Sequence, residues 1–72
     1  MEDIDWGLDV ETKKDVLIER INKLSKDGYS LELNYLFSVS QNQEETAEKY
    51  RVAVEGVKNA LAFHKEKLAA LS

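Results

Sequence analysis

The feature that most constrains this chain is a proline-free run at its C-terminal end. From Gln43 to Leu71 the residues Ala47, Tyr50, Val54, Val57, Leu61, His64, Leu68 and Leu71 recur at alternating spacings of three and four. That rhythm places them at the a and d positions of an amphipathic helix with one narrow apolar seam, broken in chemistry only by His64. Ala53 and Ala60 flank the seam at g, Arg51, Lys58 and Lys65 occupy e, and Gly56 falls on the outer side. Ser40-Gln-Asn-Gln43 matches a capping box, a hydroxyl followed three residues later by an amide. The spacing therefore predicts a long C-terminal helix over about 41–71.

A helix of that length is about 43 Å long at 1.5 Å per residue. A compact chain of 72 residues has a radius of gyration near 11 Å, hence a diameter of roughly 30 Å. The upstream sequence predicts a shorter helix over about 10–27, with Asp9 or Thr12 as N-cap and Leu17, Ile21 and Leu24 near one face, joined by Val10 and widened by Val16 and Ile18. Asp27-Gly28 reads as its stop, Gly28 suiting a left-handed C′ position. Such a helix covers about half of the long one. The remaining seam requires another helix, and the simplest source is a second copy. The expected oligomer interface is Tyr50, Val54, Val57, Leu61, His64, Leu68 and Leu71, with a dimer favoured.

Between the two helices, Leu31, Leu33, Tyr35, Phe37 and Val39 alternate with other residues, which is strand periodicity and predicts a strand over about 31–38. Leu31, Tyr35 and Val39 would also stack on one helical face, so strand and helix both remain open. Ile4, Trp6, Leu8 and Val10 alternate similarly and read as an extended arm or short strand. The fold class expected is mainly α, with α+β admitted if these stretches pair. The chain makes one domain: an acidic arm over 1–9, a first helix over 10–28, a strand or connector over 29–40 and the long helix over 41–72.

A chain this short buries only about 60% of its unfolded surface, so added support is expected. With no cysteine and one histidine, neither disulfides nor a structural zinc supply it. Oligomerisation is left. The acidic start MEDIDW is unlike a signal peptide, and no apolar run approaches the ~20 residues that span a bilayer. A cytoplasmic protein without membrane contact is expected. Residues 1–9 and 28–48 carry acids and no bases, whereas 49–72 are basic, against a net charge of −4 overall.

The chemistry-bearing residues are few. Asp3, Asp5, Asp9 and Glu11 resemble an oxygen-rich calcium loop, but Gly7, Leu8 and Lys14 stand where that loop needs an acid or Asn, Gly and Glu. No metal or cofactor is expected. Nucleophilic catalysis needs an activated hydroxyl or thiol with an oriented base, and neither a strained Gly-x-Ser-x-Gly turn nor a phosphate loop occurs among isolated glycines 7, 28 and 56. No enzyme is expected. A strand before a long helix suggests a ribbon-type DNA reader, yet the polar face Ser30, Glu32, Asn34, Ser38 and Ser40 offers no cation to phosphate. Nucleic acid is disfavoured as a partner, with the basic row Arg51, Lys58 and Lys65 as its best route. His64 reads as a seam histidine, structural or able to loosen a dimer when protonated.

What remains is a small acidic module that binds another protein as a regulator, inhibitor or assembly factor. Trp6 and Phe63, with the acids Asp3, Asp5 and Asp9, are the candidate partner-binding residues. Phe63 lies at c, off the seam, beside Ala62, Ala69 and Ala70, and an exposed aromatic in such surroundings makes a binding hot spot.

Overall fold

The chain folds into two long antiparallel helices joined by a short turn. The computed structural model describes residues 4–72. The first helix, α1, runs Val10–Ser40 over 31 residues, and the second, α2, runs Glu44–Ala70 over 27. Together they form a rod of 50 × 23 × 17 Å with a radius of gyration of 16.0 Å, well above the ~11 Å of a compact chain of this length. Among the described residues there is no strand.

Asp9 caps α1. Its backbone is extended (φ −77°, ψ 172°) and its carboxylate accepts the Thr12 amide at 2.7 Å, satisfying one of the orphan donors of the first turn. Ahead of it the arm from Ile4 to Leu8 is irregular, with Gly7 at φ +70° and its amide donating to the Asp5 carboxylate at 2.8 Å. Among the described residues the arm forms no strand.

Three expectations are corrected at the middle and end of α1. Gly28 does not stop the helix. It sits inside α1 against α2, where an added Cβ would lie 3.1 Å from Val57 Cγ1. Its small size serves a close approach of two helices, which offsets the helix-propensity cost of about 1 kcal/mol. The strand over 31–38 is helix, continuing the same ladder to Ser40. Ser40 closes α1 and does not open α2: its hydroxyl donates back to the Phe37 carbonyl at 2.6 Å.

The stop lies at Asn42. With φ 58° it adopts the left-handed conformation. Its amide donates to Val39 at 3.0 Å and that of Gln43 to Ser38 at 2.9 Å. These two bonds are the paired closure of a Schellman motif, with asparagine in the place glycine most often takes. Gln43 then begins α2. Its carbonyl accepts the Ala47 amide at 2.8 Å, its side chain makes no capping bond, and Glu44 and Glu45 fill the acidic first turn.

The two helices meet along matching seams. On α1 the half-buried residues are Lys14, Leu17, Ile21, Leu24, Gly28, Leu31 and Tyr35, followed by buried Ser38, again at spacings of three and four. On α2 buried Ala47 is followed by half-buried Tyr50, Val54, Val57, Leu61, His64, Leu68 and Leu71, so the register read from the sequence is the register that packs. Small Ser38 and Ala47 draw the helices together beside the turn. All four ion pairs among the described residues, Lys14–Glu11, Lys23–Asp27, Arg51–Glu48 and Lys58–Glu55, join neighbours on one helix. Seam packing, not charge, therefore holds the hairpin, since exposed pairs of this kind contribute little.

Candidate protein-interaction surfaces

The α2 seam is covered by its own chain. Because α1 has 31 residues where the sequence suggested about 18, it runs alongside the whole of α2. The premise that half of Tyr50–Leu71 lies bare is corrected accordingly. The cover is thin, however. A two-helix layer shields each seam residue from one side only, and among the described residues no large side chain is fully buried.

His64 belongs to this internal seam. Its Nδ1 lies 2.6 Å from the Ala60 carbonyl, which places the ring proton on Nδ1, and its ring meets Phe63 edge-on at 5.4 Å. It borders a shallow groove with Arg20, Lys23, Leu24 and Asp27 of α1. The structure thus places His64 against α1 of its own chain.

Two apolar patches face outward. The first lies at the open end of the hairpin, where the arm returns over the helix termini. Ile4, Trp6, Leu8, Val16 and Phe63 line a groove there with Lys13, Lys67 and Leu71. Trp6 is 71% and Phe63 55% exposed, and the Lys67 ammonium stands 5.4 Å from the Phe63 ring centroid. The two aromatic candidates named from sequence, Trp6 and Phe63, are brought into one groove, although 57 positions apart in the chain.

The second patch lies toward the turn, on the outer side of α1, with Leu36 at its edge where it borders a groove with Arg51 and Val54 of α2. Tyr29, Leu33, Leu36 and Phe37 follow one another at helical spacing, and each is about half exposed or more, Phe37 reaching 64%. None of them figured among the candidates read from sequence. They were legible as i, i+4, i+7, i+8 once the stretch is read as helix, but Leu31 and Tyr35 on the opposite face filled the gaps and produced strand-like alternation.

The acids divide. Asp3 lies outside the described residues. Asp5 and Asp9 are both engaged with backbone amides, of Gly7 and Thr12 respectively. Hydrogen bonds from the Thr12 hydroxyl and amide hold the Asp9 carboxyl below the usual carboxylate range. Both acids shape the arm and the helix start while remaining exposed.

The basic row is partly spent within α2. The Arg51 guanidinium reaches Glu48 through Nε at 2.8 Å, and Lys58 reaches Glu55 at 3.6 Å. The hydrogen bond from Arg51 also holds the Glu48 carboxyl below its ordinary range. That leaves a row with alternating sign, poorly suited to following a phosphate backbone.

Comparison of the chain with protein-family models, curated proteins and solved structures finds no match. No helix among the described residues is long and apolar enough to cross a membrane.

Proposed function

We propose that this chain is a small non-enzymatic protein-interaction module that acts as a homo-oligomer and engages another protein as a regulator, inhibitor or assembly factor. One observation carries the reading: the seam that closes the hairpin is already occupied, yet large apolar side chains remain exposed at both ends of the rod. Contiguous exposed apolar surface of this kind marks an interaction site. The self-association first assigned to the α2 seam moves, in this proposal, to the outer faces of the hairpin.

The open-end groove is the proposed site for the other protein. Trp6 and Phe63 offer large aromatic contact area with Lys13 and Lys67 at its rim, and tryptophan is among the residue types that dominate binding energy at interfaces. An apolar segment with acidic flanks is the complementary partner. Trp6 is the only tryptophan of the chain, so its emission reports directly on the groove. Titration with an isolated partner should shift that emission to the blue, and the double substitution Trp6→Ser, Phe63→Ser should abolish co-purification while leaving helix content unchanged. Undiminished co-purification of the same partner by the double variant would remove the groove from the proposal.

A further inference from the structure

We propose that the outer face of α1 from Tyr29 to Phe37 is the contact between two copies of this chain, packed antiparallel about a two-fold axis beside Leu33. The inference rests on the oligomeric reading above and names its surface.

The first ground is that α1 changes character along its length. Before Tyr29 the outward side carries Glu19, Lys23 and Lys26, the solvated face expected of an amphipathic helix. Beyond it the helix is apolar on both sides, Leu31 and Tyr35 toward α2 and Leu33 and Phe37 away from it. A helix with large apolar side chains on two sides has more apolar surface than a single partner helix covers. In this hairpin only one side is buried, so the other side needs cover.

Charge distribution supports the same cover. Between Asp27 and Glu44 the chain carries a single charged residue, Glu32, in a sequence that is 33% charged. Depletion of charge with enrichment of tyrosine and phenylalanine is the signature of an interface centre.

Three arguments choose a second copy as the occupant. The ladder is self-complementary when reversed: with Leu33 on the axis, Tyr29 of one copy faces position 37 of the other, an aromatic against an aromatic. A two-fold contact requires that kind of self-matching. Charge is complementary as well. In the reversed overlap, Lys26 comes level with the turn of the other copy, beside Glu44 and Glu45, while Lys23 is shared with Asp27 of its own helix. The area also fits. The chain exposes 5944 Å², against about 4,500 Å² for a compact monomer of this mass. A standard interface, about 800 Å² from each partner, falls within that excess.

The absence of native cysteine permits a direct test on the full chain. Leu33→Cys should form a disulfide-linked dimer under mild oxidation, whereas Asn59→Cys, exposed on the outer side of α2, should not. Leu33→Glu should raise the dimer dissociation constant at least about tenfold in sedimentation equilibrium, with helix content kept. Phe37→Lys is the second variant should Leu33→Glu fail to fold. A wild-type dimer that resists Leu33→Glu and gives no Leu33→Cys cross-link would overturn this surface while leaving the oligomeric reading intact. A wild-type monomer at all micromolar concentrations would overturn both, and selective capture of a different protein by this face would reassign it.

Discussion

At the scale of single residues, the hairpin turns on positions where size or backbone conformation outranks hydrophobicity. Gly28 and Gly56 make the sharpest contrast, since both sit inside helices and differ only in what surrounds them. Nothing lies within 4 Å of a Cβ built on Gly56, whereas one on Gly28 meets Val57 Cγ1 at 3.1 Å. Gly56→Ala should therefore raise stability by about 0.5–1 kcal/mol, the propensity gain alone. Gly28→Val should lower it by about 1–3 kcal/mol through overpacking, and Val57→Ala should recover part of that loss in a double-mutant cycle. Chemical denaturation of the wild type and the four variants checks the set; equal effects at the two glycines would contradict the close approach. Gly28 also shows why a glycine misleads as a stop signal. Glycine satisfies a helix end and a helix crossing equally well, and only the distance to Val57 distinguishes them. The true stop, Asn42, carries the weaker of the two sequence signals because asparagine tolerates the left-handed region less freely than glycine.

At the scale of elements, α2 was legible in the sequence and the second half of α1 was not. The register from Ala47 to Leu71 survives because one face of α2 is apolar and the other charged, so period and burial agree. From Tyr29 onward α1 is apolar on opposite sides, and two apolar faces of a helix overlay into the alternation of a strand. The α1 seam was hidden further by Lys14, Gly28 and Ser38, none of which reads as a core residue. The start of α1 was legible through Asp9, and its cap yields a prediction with a definite sign. The Asp9 and Glu48 carboxyls are both held below their ordinary range, by Thr12 and by Arg51 respectively. A lowered folded value means that the stabilisation is fully present above the unfolded carboxylate range near pH 4 and is lost as pH falls through the folded values. Acidification from neutral pH should thus fray the first turn of α1 only below about pH 4. The Thr12 amide resonance should report a midpoint lower than that of an unstructured aspartate, and Asp9→Asn should remove the transition. A midpoint at or above the unstructured value would contradict the cap.

At the scale of the whole molecule, a rod with one seam is an incomplete core. No large side chain is fully buried among the described residues, and hydrophobic stabilisation scales with the apolar area taken from water. The hairpin alone is therefore marginal, and the two exposed patches are where further burial is available. The turn-end patch is self-matching and suits a second copy. The open-end groove has Trp6 of the arm and Phe63 of α2 in its lining and is the proposed site for a different protein. On the proposed function, assembly adds to the fold's stability, because whatever binds only the folded chain stabilises it by mass action. The most direct measurement is thermal melting of the wild-type chain, followed by circular dichroism across a wide range of protein concentration. The account predicts a melting temperature that climbs steadily with concentration and loses that dependence in Leu33→Glu. A melting temperature that stays constant over the whole range would show a hairpin stable by itself and contradict the claim that its outer face awaits a second copy.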